Sequence, residues 1–259
     1  MTITLNDFIA RITTSVPLLI TVLLTLGVIM VNGWTDAPNA IATCISTRSM
    51  PPRAAIFMAA GFNFLGVFVM TLLNATVAQT IYNMVDFGSN AGDATIALCA
   101  GMFAIVLWAT IAWWFGIPTS ESHALIAGIS GAAVAIQNGF SGINGSEWIK
   151  VIYGLLLSSV LGFFLGYGTS KLVKFLFRKM ERRKADSFFK KGQIAGSAAM
   201  AFMHGAQDGQ KFIGVFLLGT FLAGGQTDVT TFTIPIWLMI LCSLVMSLGT
   251  SIGGLRIIK

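Results

Sequence analysis

The sequence has little charge and few cysteines, and each shortage excludes a class of protein. Only 10% of its 259 residues are charged, whereas a soluble domain carries about 25%, so a soluble globular chain is excluded. Three cysteines, Cys44, Cys99 and Cys242, lie far apart and show neither metal-ligand spacing nor a disulfide pattern. We interpret them as small buried hydrophobic residues. Because the start contains Asp7 and lacks a basic region before its apolar run, no cleavable signal peptide is expected.

Hydrophobic residues are abundant, as a membrane protein requires. They make up 55% of the sequence, and the mean hydropathy is +0.81. The 28 glycines suit close contact between helices in lipid. The net charge of +6 does not indicate nucleic acid, because seven Lys and Arg residues cluster in segment 178–191. Such clustering orients a membrane protein, with its basic loops in the cytoplasm.

Apolar runs predict an all-α, polytopic transmembrane helical bundle. Residues 1–14 are expected at the membrane interface and 74–93 in an outside loop. The first apolar run should be broken at 33–38 and continue as helix to 46, and segment 204–211 should interrupt a later one. The predicted spans and partial spans are 16–31, 54–73, 94–115, 124–136, 148–177, 194–223 and 233–252.

Between positions 94 and 136, two topologies satisfy the expected orientation. The loops around Arg48 and Arg53 and at 178–191 should be cytoplasmic, since basic loops face that side. Segments 94–115 and 124–136 must then return the chain to the outside, as two full spans or as a re-entrant hairpin. The turn at 116–118 and the short second segment favour the hairpin, because a span needs about 20 residues.

A short polar motif occurs twice at membrane depth. Asp36 lies in NGWTDAPNA, residues 32–40, and Asp208 lies in HGAQDGQK, residues 204–211. A carboxylate in the bilayer is costly and indicates function, and polar motifs repeated in broken helices are typical of secondary transporters. We predict that Asp36 and Asp208 bind a coupling cation or proton, with Asn39 sharing the site of Asp36. The alternatives are structural acids and, for Asp208, an ion pair with Lys211.

A third polar cluster, GIPTSESH at residues 116–123, follows an apolar run. Thr119 and Ser120 stand at the start of the next helix, where hydroxyls cap the helix or accompany N–H groups that hold an anion. An ordinary capped turn is one interpretation. Beside the two aspartate motifs we favour an anion site, with Ser122 included. His123 and His204 are interpreted as neighbouring or interfacial residues rather than ligands.

Segments 32–42, 116–123 and 204–214 together resemble signature segments of the inorganic phosphate transporter (PiT) family. Three of the family's four segments occur in the family order, and the resemblance covers most of the chain. It implies an inverted repeat with broken helices and a hairpin. The first repeat would be 1–177, followed by a basic cytoplasmic loop at 178–193 and the incomplete start of the second repeat at 194–259. Phosphate would bind near the midplane, between the hairpin tip and the two acidic helices.

The chain departs from the family pattern at three positions and at its end. Thr35 and Gln207 stand where the family usually has Asn; both are polar, so they remain phosphate-binding candidates. Glu121 stands where an uncharged polar residue is common, and it would point away, take a proton for coupling or meet a cation. After Arg256 the family continues into a second hairpin tip. We therefore expect a fragment, or a chain completed by a partner or by a second copy, that does not transport by itself.

These patterns predict a secondary active transporter of inorganic phosphate, coupled to Na⁺ or H⁺ and multi-pass in the inner or plasma membrane. Inorganic phosphate and the lipid bilayer are the expected partners; nucleic acid, a bound cofactor, a resident metal and enzyme activity are not expected. Two alternatives stay open, namely transport of another oxyanion such as sulfate and a non-transporting membrane assembly partner. An intramembrane hydrolase is disfavoured, since no nucleophile–His–acid set or HExxH spacing stands out.

Overall fold

The computed structural model describes residues 3–117, 119–226 and 232–258, without the side chains of residues 37, 38, 182 and 254–258. Regular structure in these ranges is helical, apart from one isolated β-bridge between Val85 and Ile143. The predicted all-α class is therefore confirmed. A 3₁₀ turn covers Phe140–Gly142, and the α-helices are α1 Leu5–Thr14, α2 Val16–Ser46, α3 Pro52–Leu73, α4 Thr76–Tyr82, α5 Ala91–Phe115, α6 Glu121–Ile136, α7 Gly145–Phe177, α8 Arg182–Ala223 and α9 Ile236–Ile258.

Five of the described helices, α2, α3, α5, α7 and α9, are long and apolar enough to cross a membrane. α6 is apolar but shorter, and the apolar part of α8 is interrupted by the polar segment 204–211. α7 differs from the others because it is exposed throughout residues 152–170. Its side chains there are largely apolar.

The two helices that carry the aspartate motifs are continuous, so the predicted breaks are wrong. α2 runs through segment 33–38, and α8 runs through segment 204–211. Gly33 serves close packing instead, because a Cβ atom there would lie 2.5 Å from the Met246 carbonyl oxygen of α9. Such contact between helices explains Gly in a membrane helix without a break in the backbone.

Two segments predicted as loops, 74–93 and 178–193, contain helix, and segment 1–14, expected at the membrane interface, forms a helix as well. Segment 1–14 forms α1, whose Thr4 cap accepts from the Asp7 N–H at 3.2 Å and whose Phe8 ring stacks on Trp237 at 4.9 Å. Segment 74–93 contains α4. The basic segment 178–193 is mostly the start of α8, which begins at Arg182. α1 has a side-chain cap and a tertiary contact, whereas α4 and α8 begin without a side-chain cap hydrogen bond. Tertiary contacts, which stabilise most helices in proteins, are not visible in a count of apolar runs.

Two packing contacts between helices match each other across the centre of the bundle. α2 packs along α9, and α3 packs along α8. A Cβ atom on Gly33 would lie 2.9 Å from the Thr250 nitrogen, and one on Gly205, the matching position of the second motif, would strike the Asn63 backbone. Between these contacts, Asn63 Nδ2 donates to Thr250 Oγ1 at 2.8 Å. This correspondence is expected if α2 with α3 and α8 with α9 are repeated units; the inverted orientation and the repeats 1–177 and 194–259 stay predictions.

α5 and α6 form the predicted hairpin. α5 ends at Gly116, whose φ of 67° is in the left-handed region that favours glycine. At the open end, the Asp86 N–H donates to the Gly142 carbonyl at 2.9 Å, which ties the end of α6 to the segment before α5. The closed end instead reaches the middle of α8, where Ser122 contacts Asp208. Both helices therefore run between one rim of the bundle and its interior, which favours the re-entrant hairpin over two full spans.

Gly66 provides a test of the contact between α3 and α8. A Cβ atom there would strike the Phe202 carbonyl oxygen, whereas one at Gly61 in the same helix would meet nothing within 4 Å. We expect Gly66→Ala to lower the free energy of unfolding by about 1–3 kcal/mol, the usual range for overpacking. Gly61→Ala should leave stability unchanged or raise it, because Ala favours helix. Thermal unfolding in one detergent compares the two; equal effects would contradict the tight contact.

Candidate functional site

Asn32 joins the acidic residues of the two motif helices. It lies in α2, one turn before Asp36, and its side chain is fully buried. Its Nδ2 atom donates to Asp36 Oδ2 at 3.1 Å and to Asp208 Oδ2 of α8 at 3.3 Å. One amide group therefore brings together the two carboxylates that the repeated motif predicted as a pair.

Asp208 lies in a charged group within α8. Lys211 Nζ lies 2.6 Å from Asp208 Oδ1, and His204 Nδ1 lies 3.3 Å from Asp208 Oδ2. The Asp208, His204 and Lys211 side chains are only 10%, 15% and 19% exposed. The i, i+3 and i, i+4 spacing places both partners on one side of the helix. The ion pair that was the alternative for Asp208 is thus present, within the same cluster as Asp36.

The hairpin tip reaches this group through Ser122. Its hydroxyl donates to Asp208 Oδ1 at 3.2 Å and accepts from Lys211 Nζ at 2.7 Å. The tip is thereby held against α8 by a side chain that can exchange these partners for an anion, because a hydroxyl both donates and accepts. The three polar segments of the sequence therefore meet at one place, which we call the acidic cluster: Asn32, Asp36, Glu121, Ser122, His204, Asp208 and Lys211.

Glu121 points into the acidic cluster. It is the first residue of α6 and is 0% exposed. The side chains of Thr35 and Asp36 lie next to its carboxyl group, and both carboxyl oxygens are buried. Of the three alternatives predicted for Glu121, this position contradicts the first, that it points away from the site, and binding of a proton and binding of a cation stay predictions.

Thr119 and Ser120 currently stabilise the tip itself. Trp108 Nε1 donates to Thr119 Oγ1 at 2.9 Å, and Ser120 Oγ accepts from the His123 N–H at 3.4 Å as the N-cap of α6. Both residues are partly exposed. The capped turn is thus present, and the role of these two hydroxyls in phosphate binding stays a prediction.

Three predicted site residues contribute differently. Thr35 is buried beside Glu121, and its hydroxyl donates to the Val31 carbonyl at 2.9 Å. Gln207 and Asn39 are exposed, and the structure gives neither of them a hydrogen bond to the acidic cluster. The structure therefore does not bring Gln207 or Asn39 into the acidic cluster, and their roles remain predictions.

Comparison with known proteins identifies the family in which these three polar segments occur. Residues 32–259 match the model of the phosphate transporter family. The chain belongs to this family. It is 37% identical over 229 residues to a probable low-affinity inorganic phosphate transporter of Bacillus subtilis, covering 88% of this chain and 67% of that protein. A protein described in the same words from Mycobacterium leprae is 33% identical, with 93% and 57% covered.

A solved structure described as "The sodium-dependent phosphate transporter" has the same fold. Its TM-score is 0.76 at 18% identity, with 93% of this chain and 76% of that chain covered. This phosphate transporter family member therefore spans between about half and two thirds of the two curated relatives. The likeness to the solved structure concerns the fold, and the activity of the whole relatives is carried over only as a proposal.

Sequence reasoning missed Asn32 as a site residue in this family member. A signal was present, because Asn32 lies four residues before Asp36, as His204 lies four residues before Asp208. In a helix this spacing places the two side chains on one face. Superimposing the repeated motifs beyond Gly and Asp would have paired these two polar residues as matching neighbours of the acids.

Proposed function

We propose that this chain forms the binding site of a secondary active transporter that moves inorganic phosphate together with Na⁺ or H⁺. The observation that carries the proposal is the hydrogen bonding of one Asn32 amide to both motif acids, with the hairpin tip held to the same group by Ser122. Two repeated membrane helices and one hairpin converge on polar side chains near the middle of the bundle. Transporters built from repeats place substrate and coupling-ion sites at such an interface.

In this proposal, the positively charged part of the phosphate site is Lys211. Its ammonium group already bonds the Ser122 hydroxyl, and phosphate oxygens would take the same donors together with Thr119 and Ser120. The N-terminus of α6 adds N–H groups with a favourable dipole. Ser122 and Lys211 are thus the contacts that phosphate would compete for, and Thr35 would line the same space.

The need for a coupling cation follows from the charges. Asp36, Glu121 and Asp208 are three acids, and Lys211 bonds only Asp208 among them. An anion brought beside unneutralised carboxylates would be repelled, and the repulsion is strong where water is excluded. A Na⁺ ion or a proton at Asp36 would remove it. Cation and phosphate would then each favour the binding of the other.

The three acids Asp36, Glu121 and Asp208 favour phosphate over sulfate. At neutral pH phosphate carries at least one O–H group and can donate to a carboxylate, whereas sulfate can only accept. Sulfate in a site with three acids would face carboxylate oxygens, which also only accept. No hydrogen bond could form between them, and leaving buried acceptors unpaired is costly. Sulfate transport and a non-transporting assembly role remain the outcomes against which the proposal is tested. A multi-pass position in the inner or plasma membrane belongs to the same proposal.

The hairpin hydroxyls provide the test of this proposal. Thr119→Ala and Ser120→Ala should each weaken phosphate binding by about 1–3 kcal/mol, since each removes one donor. Ser141→Ala, at an exposed position near the opposite end of the hairpin, is the matched control and should change nothing. Equilibrium binding of radiolabelled phosphate to purified, lipid-reconstituted protein, with sulfate as competitor, measures the effect. Thermal stability of each variant is measured in parallel, because Ser120 also caps α6.

Unchanged phosphate affinity in both folded variants would remove the hairpin tip from the site. Competition by sulfate as effective as competition by unlabelled phosphate would shift the proposal to the alternative oxyanion. Absence of binding by wild-type protein would favour the non-transporting role.

A further inference from the structure

The junction between α7 and α8 holds more than half of the basic residues of the chain. Segment 171–191, which we call the basic elbow, contains nine of the 16 Lys and Arg residues. Its two acids, Glu181 and Asp186, are paired with Lys184 at 3.1 Å and with Lys190 at 2.8 Å. Six further basic side chains are exposed and form no salt bridge among the described residues, namely Lys171, Lys174, Arg178, Lys179, Arg183 and Lys191.

The depth of the basic elbow in the bilayer follows from the length of α7. Residues 151–170 contain no Asp, Glu, Lys or Arg, and Lys150 and Lys171 stand at their two ends. About 20 residues of helix rise about 30 Å, which is the thickness of the hydrocarbon core of a bilayer. With Lys150 at one boundary of this core, Lys171 stands at the other, where the lipid headgroups begin.

Three of the unpaired basic residues form a stripe along the end of α7. Lys171, Lys174 and Arg178 are spaced at i, i+3 and i+7, which places them on one face of the helix. The stripe extends about 10 Å along the helix axis, enough to pass through the headgroup layer. Lys171 Nζ lies 5.3 Å from the centre of the Tyr167 ring, and the Arg178 guanidinium lies 5.1 Å from that of Phe175. Long basic side chains at a membrane boundary pack their stems on apolar groups in this way and keep the cation among the headgroups.

Aromatic contacts fix the basic start of α8 beside this stripe. The Phe177 ring, at the end of α7, lies 5.1 Å from the Phe188 ring and 4.9 Å from the Phe189 ring of α8. The Phe188 and Phe189 rings are 5.5 Å apart. The basic elbow is therefore a packed turn between two helices, in which the cations have set positions rather than those of an extended loop.

We propose that the basic elbow binds the phosphate headgroups of anionic membrane lipids. Charge complementarity selects this occupant, because cations without carboxylate partners stand at the depth of the headgroup phosphates. Each Lys or Arg near an anionic membrane surface strengthens such binding by roughly fivefold. The proposal is independent of the transport function. It also goes beyond orientation, since orientation depends on the number of basic residues in a loop, whereas lipid binding depends on their positions.

Fluorescence quenching measures which lipid lies at the basic elbow. A fluorophore is attached to Met180→Cys, a position that is 37% exposed, in protein reconstituted into phosphatidylcholine vesicles; the protein without this substitution gives the background from the native cysteines. Doxyl-labelled phosphatidylglycerol should quench at about one tenth of the mole fraction that doxyl-labelled phosphatidylcholine requires. Added salt should reduce this preference, because it screens exposed charges. Equal quenching by the two lipids would overturn the proposal.

Substitutions in the stripe test the residues that carry the proposal. In the labelled protein, Lys171→Gln with Lys174→Gln and Arg178→Gln should abolish the preference for phosphatidylglycerol. The basic residues of segment 179–191 remain and keep the orientation of the chain. Lys171→Arg with Lys174→Arg and Arg178→Lys should retain the preference, because the charge is preserved. A preference that persists in the Gln variant, or that is lost in the charge-preserving one, would contradict the assignment.

A second basic loop supplies the matched control. Arg48 and Arg53 are exposed between α2 and α3, and Arg48→Gln with Arg53→Gln should leave the preference at the basic elbow unchanged. Loss of the preference in this variant would mean that total charge, rather than the stripe, attracts the lipid. Millimolar inorganic phosphate should not displace phosphatidylglycerol at constant ionic strength. Displacement would overturn the proposal in favour of a soluble anion.

Discussion

Asp208→Ala is expected to destabilise the protein by about 3–5 kcal/mol, the usual cost of removing one partner from a buried ion pair. The substitution leaves the Lys211 ammonium, 19% exposed, without the carboxylate that lies 2.6 Å away. It also removes the carboxylate that accepts from Ser122 and one of the two carboxylates that accept from Asn32. Denaturation in lipid–detergent mixtures, followed by circular dichroism, measures the loss.

An exposed ion pair in the same helix provides the matched control. Asp186 lies 2.8 Å from Lys190, with side chains 59% and 45% exposed, so Asp186→Ala should cost at most about 1 kcal/mol. The double substitution Asp208→Ala with Lys211→Met should recover part of the loss, because no charge remains unpaired. Equal costs for Asp186→Ala and Asp208→Ala would mean that the acidic cluster does not hold α8 and the hairpin together.

Asp36→Asn is expected to abolish the dependence of phosphate binding on the cation while leaving the fold intact. Asn has nearly the same shape as Asp and still accepts from Asn32 Nδ2, which lies 3.1 Å from Asp36 Oδ2 in the wild type. The charge that would bind the cation is lost. Coupling between two ligands is typically worth a factor of about 5–150 in affinity, and this factor should vanish from titrations of phosphate affinity against Na⁺ and pH.

Asp93→Asn supplies the comparison for that experiment. Asp93 lies in the exposed first turn of α5, where it accepts from Asn90 Nδ2 at 2.6 Å, far along the hairpin from the tip. It should retain the full cation dependence. If Asp36→Asn also retained it, the cation would bind elsewhere, and Asp36 would be a structural acid that satisfies Asn32.

The acidic pair could be predicted from the sequence because its signal is local. Asp36 and Asp208 stand in a repeated motif inside apolar runs, where a charge is costly, and this alone indicates a common site. The continuity of α2 and α8 through the motifs could not be predicted, because Gly in a membrane helix marks either a break or a close contact with another helix. Only the position of α9 against Gly33 distinguishes the two.

Which amide joins the acidic cluster depends on where α8 crosses α2. Asn39 lies three residues after Asp36 and was predicted to share its site, yet it is exposed, whereas Asn32, one turn on the other side, meets Asp208. Helical periodicity places both amides near the face of Asp36. The choice between them is made by the point at which α8 packs against α2, and that point is a tertiary property.

The central claim is that one site binds phosphate and a cation in mutual dependence. Equilibrium binding of radiolabelled phosphate to the purified chain in lipid nanodiscs tests it, with Na⁺ and pH titrated separately at constant ionic strength. The account predicts that phosphate affinity rises as Na⁺ increases or as pH falls, and that phosphate raises the affinity for that cation by the same factor. Phosphate binding that is absent, or that is the same at every Na⁺ concentration and at every pH after correction for the titration of phosphate itself, would contradict it.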